Sequence, residues 1–110
     1  KKDMLGVHEE TLKAHGAVSR ETALEMAAGA LAHSRASLAL AVTGVAGPGG
    51  GSAEKPVGLV WFGVARKGMP VEAEFRLFED KGRDFIRRET VRTALGLGLK
   101  AVGQAGFAAP

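Results

Sequence analysis

Thr43 and Gly44 close an apolar run, Leu38-Ala39-Leu40-Ala41-Val42, and open a loop in which Gly47, Gly49, Gly50 and Gly51 surround Pro48. Ser52 follows, and Lys55 adds a positive charge before a second apolar run begins at Val57. A glycine fixed in ordered chain costs about 0.5–1 kcal/mol against alanine. Four in one short loop therefore need a reason. Two readings fit. One is a surface connection between two strands. The other is a nest of backbone N–H groups, from Ala46 to Gly51, around an anion such as a phosphate, with Lys55 beside it. Gly51 is followed by Ser52-Ala53-Glu54 and not by Lys-Ser/Thr, so this is no Walker loop. What comes next is strand-like, which excludes a dinucleotide fingerprint.

A second group suited to phosphate stands further on. Arg83 and Arg87 are spaced i, i+4 near the start of the last helix, where free N–H groups and the helix dipole also favour an anion. Arg88 and Arg92 form another such pair, and Asp80, Asp84 and Glu89 offer ion-pair partners that would make all four a solvated face. His8, His15 and His33 show no metal-ligand spacing, and no metal is expected. No Ser-His-Asp order can be assembled. Glu9-Glu10 and Glu79-Asp80 sit at helix starts, which accounts for them without catalysis.

The elements that position these residues are legible from periodicity and punctuation. A short helix is predicted over Glu9–His15, with acidic residues in its first turn and Gly16 past its end. Ser19 is the N-cap of a second helix running to about Ser34, whose Ala23, Met26, Ala27, Ala30 and Leu31 form a packing face. The run 37–45 lacks alternation and reads as a central strand covered on both sides, with Thr43 the polar side chain projecting from its end. Strands are predicted over 58–66 and 71–78, joined as an antiparallel hairpin, the second near a sheet edge. The last helix spans about 81–102 and buries Ile86, Thr90, Ala94, Leu97 and Ala101, with Gly96, Gly98 and Gly103 weakening its second half. The tail from Gln104 is expected to fray. The fold class is α/β: a mixed β-sheet with helices packed on it in three layers, α/β/α.

Composition narrows the function classes. Hydrophobic residues make up 45% and charged residues 25%, ordinary for a globular domain, and 110 residues allow one domain with a modest core. Without cysteine there is no disulfide framework and no thiolate zinc site. No apolar run approaches the roughly 20 residues of a membrane span, so no membrane partner is expected and the cytoplasm is the default location. The net charge of +3 tolerates an anionic ligand, but basic residues are scattered and aromatics are only 5%, which argues against nucleic acid.

The stretch 41–60, AVTGVAGPGGGSAEKPVGLV, closely resembles the signature of the CinA C-terminal domain family, the nicotinamide-nucleotide amidases. That family reads V-T-G-I-A-G-P-x-G-G and then K-P-V-G-x-V. Agreement extends to Leu5-Gly6-Val7 with His15-Gly16-Ala17-Val18-Ser19, to Ala23-Leu24-Glu25-Met26-Ala27, and to Arg83 with Ile86-Arg87 and Thr90-Val91. The resemblance implies deamidation of nicotinamide mononucleotide to nicotinic acid mononucleotide and ammonia, with no cofactor. It implies a serine nucleophile in an A-E-S-C/S-T-G-G stretch and a Y-x-N-x-x-K motif at the active site. Lys1 falls on that motif's lysine and could act as its base, or be a solvated terminal residue. The serine stretch and the Tyr and Asn are absent from the sequence, which opens at Lys1-Lys2-Asp3; the N-terminal part of the domain is expected ahead of it. Thr43 and Gly44 would flank the reacting amide, Ala46, Gly47, Gly49, Gly50, Gly51 and Lys55 would wrap the nucleotide, and Arg83 or Arg87 would hold its phosphate. Some members carry a second domain acting on nucleotide pyrophosphates, so a fused or separate partner of that type is expected, and small Gly/Ala helix faces leave room for self-association into a homo-oligomer. The rival reading is a non-catalytic nucleotide-binding or assembly module.

Overall fold

Three strands pair side by side into one sheet, and its two faces are built differently. In the computed structural model, which describes residues 6–45 and 51–104, the elements follow in the order α1 (Glu9–His15), α2 (Arg20–Ala32), β1 (Leu38–Gly44), β2 (Leu59–Arg66), β3 (Glu72–Leu77) and α3 (Arg83–Gln104). Each expected element is present, with ends displaced by a residue or two. Ser19 caps α2 as anticipated, its hydroxyl oxygen accepting the Thr22 backbone N–H at 3.1 Å.

The sheet runs β1-β2-β3, antiparallel throughout. This differs from the mixed sheet expected. The β2–β3 connection is a short turn at 67–71, and a short turn returns the chain antiparallel. It also places β1 at an edge of the described sheet instead of its centre. Leu40 and Val42, on the α3 face, remain 36% exposed, so β1 is not covered on both sides as expected. β3 forms the opposite edge, as its alternating pattern required.

Strand parity sorts the side chains between two helices. Ala41 pairs with Gly63 and Ala39 with Ala65, and this face receives α2 through Ala23 and Ala27. Gly63 is what lets the helix sit so close: a Cβ there would overlap the Ala23 carbonyl oxygen. The other face carries Val60 and Phe62, which pack with Ile86 of α3 into a second core cluster. Phe62 and Ala65 have no exposed surface, and a fully buried phenylalanine of this kind contributes about 1.5–3 kcal/mol. Helix, sheet and helix thus form the three layers expected of the α/β class. The stripe foreseen on α3 is the one buried, with Ile86 and Ala101 nearly inaccessible and Thr90, Ala94 and Leu97 half-buried. The helix continues through Gly96 and Gly98 to Gln104. Of the tail expected to fray from Gln104, Gln104 itself is the last residue of α3, and 105–110 lie outside the described residues.

The α1 helix is held from a distance. Glu25 on α2 accepts the His8 backbone N–H at 2.9 Å and the Thr11 hydroxyl at 2.8 Å, one carboxylate oxygen each. Burial pushes the Glu25 carboxyl up, but these two hydrogen bonds and the neighbouring His8 ring outweigh it and hold the pKa below its ordinary value. One carboxylate fixes α1 on α2.

Candidate active site

The end of β1 meets the turn between α1 and α2, and Thr43 joins them. Its hydroxyl donates to the Ala17 carbonyl at 2.7 Å, across 26 residues of sequence. The proton of Thr43 is therefore committed, and its oxygen keeps acceptor capacity. The turn it grips is itself tightly specified. Gly16 stands at φ +81°, a region closed to most side chains, and its carbonyl accepts both the Thr22 hydroxyl at 2.7 Å and the Ser19 hydroxyl at 3.0 Å. Its N–H completes the end of α1 on the Leu12 carbonyl at 2.9 Å.

Lys55 reaches the same turn from the far side of the glycine loop. Its ammonium donates to the His15 carbonyl, and a Cβ on Gly16 would lie 2.7 Å from that nitrogen. The base of the loop is closed locally: Ser52 donates its N–H to the Lys55 carbonyl at 2.9 Å, and its hydroxyl accepts the Lys55 N–H at 3.1 Å. Gly51 sits against the Val57 backbone, where a Cβ would come within 2.7 Å. Val45 and Gly58 then zip the two strands together, with N–H donors to Leu59 and Val45 at 2.9 and 2.7 Å.

The residues singled out in the sequence divide between the two faces of the sheet. Thr43 and Lys55 converge on the α1–α2 turn. Gly44 and Arg87 instead share a hollow of about 230 Å³ on the α3 face, with Val42, Val60, Ile86 and Thr90. Gly44 is pressed against Val60, its partner across the strands. Arg83 is exposed at the first residue of α3. Neither arginine forms an ion pair among the described residues, so the Asp80, Asp84 and Glu89 pairings do not occur there. Lys1, Ala46, Gly47, Gly49 and Gly50 lie outside the described residues. His15 makes a local contact, its Nδ1 standing 3.6 Å from a Glu21 carboxylate oxygen. No cluster of His, Asp and Glu among the described residues could hold a metal, and no helix is long and apolar enough to cross a membrane.

A cleft of about 530 Å³ opens beside the turn on the α2 face, between the start of α2, Lys55 and the aromatic pair Trp61 and Phe75. The sequence reading passed over these two rings. Each lies in a strand-like run where an aromatic is expected of the core, and only the register shows that they are neighbours.

A sheet with α2 on one face and α3 on the other defines a three-layer α/β domain. The CinA C-terminal domain matches residues 1–102, and the chain belongs to that family. It is similar to the nicotinamide-nucleotide amidohydrolase PncC of Escherichia coli strain K12, 48% identical over 96 residues, covering 86% of this chain and 57% of that protein. A CinA-like protein of Gloeobacter violaceus is 46% identical over 97 residues, covering 88% of this chain and 23% of that one. Among solved structures, the competence/damage inducible protein CihA of Agrobacterium tumefaciens superposes with a TM-score of 0.86 at 56% identity, over 90% of this chain and 60% of its own. The chain thus spans between about a quarter and three fifths of the relatives it matches.

Proposed function

We propose that the protein hydrolyses the carboxamide of nicotinamide mononucleotide, giving nicotinic acid mononucleotide and ammonia. The observation that carries this is the similarity to PncC, named a nicotinamide-nucleotide amidohydrolase, across 86% of this chain, the Thr43–Gly44 strand end and Lys55 included. In the reaction, water supplies oxygen to the carbonyl carbon, the C–N bond breaks, and nitrogen leaves as ammonia. The resemblance assigns the nucleophile to a serine in a motif this sequence does not contain, so the activity proposed is that of the full-length protein.

The residues of this chain have positioning and binding roles in that scheme. Thr43, its proton given to Ala17, offers an acceptor lone pair to the carboxamide N–H of the substrate. Lys1 serves as the proton acceptor in its neutral form. The backbone from Ala46 to Gly51 receives the nucleotide, with Lys55 at the loop's base. Of the two arginines, Arg87 shares a hollow with Gly44 and is the one assigned to the phosphate; Arg83 has no such link to the strand end.

A non-catalytic nucleotide-binding or assembly module is the second reading. One observation favours it: the Thr43 hydroxyl proton and one of the three Lys55 ammonium protons go to the Ala17 and His15 carbonyls, a structural use. Ammonia release from the mononucleotide by full-length protein decides between them. Release in step with substrate loss supports the amidase, and binding without release supports the module.

A further inference from the structure

Strand register places three side chains in one row across the α2 face of the sheet. Thr43 of β1 is the cross-strand partner of Trp61 on β2, and Trp61 is the partner of Phe75 on β3. Directly opposed residues on one face have Cβ atoms about 4.5–5.5 Å apart. The next row, Ala41, Gly63 and Ala73, lies under α2. That helix begins at Arg20, and beyond its start the sheet face forms the floor of the cleft lined by Trp61 and Phe75. The rings stand 5.1 Å apart between centroids at an interplanar angle of 46°. Phe75 is 53% exposed and Trp61 half-buried, so both offer surface to the cleft.

The charges around this floor are of both signs. Glu21 and Glu54 line the cleft together with Arg20 and Lys55. Aromatic faces carry negative electrostatic potential and attract cations that are planar or compact. A ligand matched to all of this is a flat cation with an anionic group attached. Nicotinamide mononucleotide has that form: its ring is a pyridinium, positively charged through the bond to ribose, and its phosphate is negative. The cleft volume of about 530 Å³ falls within the range of small-molecule sites.

We propose that Trp61 and Phe75 form the ring-recognition surface of the substrate site, selecting the cationic pyridinium over a neutral pyridine. The inference rests on the amidase reading for the identity of the ligand. The ring lies on the two aromatics, which brings its carboxamide toward Thr43 in the same row. The ribose phosphate then leads away past the end of β1. Such a surface explains how a small amidase can discriminate a nucleotide from free nicotinamide without contacting the phosphate first.

Trp61 is the one tryptophan of the sequence, so its fluorescence reads the surface directly. The 110-residue chain is titrated with 1-methylnicotinamide, a permanent pyridinium cation, and in parallel with neutral nicotinamide. The expected result is saturable quenching by the cation and an apparent Kd for nicotinamide about tenfold weaker or more. Phe75→Leu weakens the cation about three- to tenfold while Phe75→Tyr, which keeps the ring, retains its affinity. Quenching that stays linear and equal to that of free N-acetyltryptophanamide overturns the proposal. So does equal affinity for cation and neutral ring, or a Phe75→Leu variant that folds normally by circular dichroism and binds as the parent does. Ammonia release with purely collisional quenching would reject this surface while leaving the amidase reading intact; saturable cation binding with no ammonia release would do the reverse.

Discussion

Thr43 shows how a residue can be found by pattern while its partner in the fold stays hidden. Its place at the end of an apolar strand, before glycines, marks it from sequence. That its hydroxyl proton holds Ala17, 26 residues away, depends on the fold and no local spacing reports it. The account predicts that Thr43→Val in full-length protein lowers turnover by about ten- to a hundredfold, because the acceptor facing the carboxamide is lost. Thr43→Ser should recover most of it in the same ammonia assay. A different signature is expected of Arg87→Ala. If Arg87 binds phosphate alike in ground and transition states, the Michaelis constant rises and the turnover number stays put. Steady-state kinetics with the mononucleotide separate the two.

Helices and strands are where the sequence speaks most clearly, because each is long enough to average its periodicity. The Ser19 cap, the buried stripe of α3 and the β2–β3 hairpin were all readable. A sequence does not display which strand edge is paired, so an unalternating run such as β1 reads as central although β1 lies at an edge of the described sheet. The Trp61–Phe75 neighbourhood was hidden for the same reason. Close packing of α2 on β2 depends on Gly63, and Gly63→Ala should destabilise the fold by about 1–3 kcal/mol through overlap with the Ala23 carbonyl, seen as a lower urea midpoint. The α1–α2 contact carries a pH dependence. Glu25 has a pKa lowered by folding, so its ionised form stabilises the native state above the unfolded carboxyl's pKa, and that contribution fades as pH falls through the lowered native value. Glu25→Gln should flatten the acid limb of the stability curve in thermal melts between pH 3 and pH 6, a window bracketing the usual Glu pKa of about 4.3.

At the scale of the whole molecule, the fold and the family are secure while the chemistry is divided among parts. The sheet separates Thr43 and Lys55 from Gly44 and Arg87, and only a ligand lying over the end of β1 could engage both groups. A nucleotide has the length to do so, with its ring on one face and its phosphate across the strand end. The glycine loop is legible in sequence as a composition, and its residues 46–50 lie outside the described set. The relatives matched are longer than this chain, and the nucleophile implied by the resemblance belongs to a motif it does not contain. The central claim is met most directly by following nicotinamide mononucleotide with full-length protein and measuring ammonia and nicotinic acid mononucleotide together. The account predicts that the two products appear one for one as substrate disappears. Substrate left intact at saturating protein, or loss of substrate without ammonia, would contradict it.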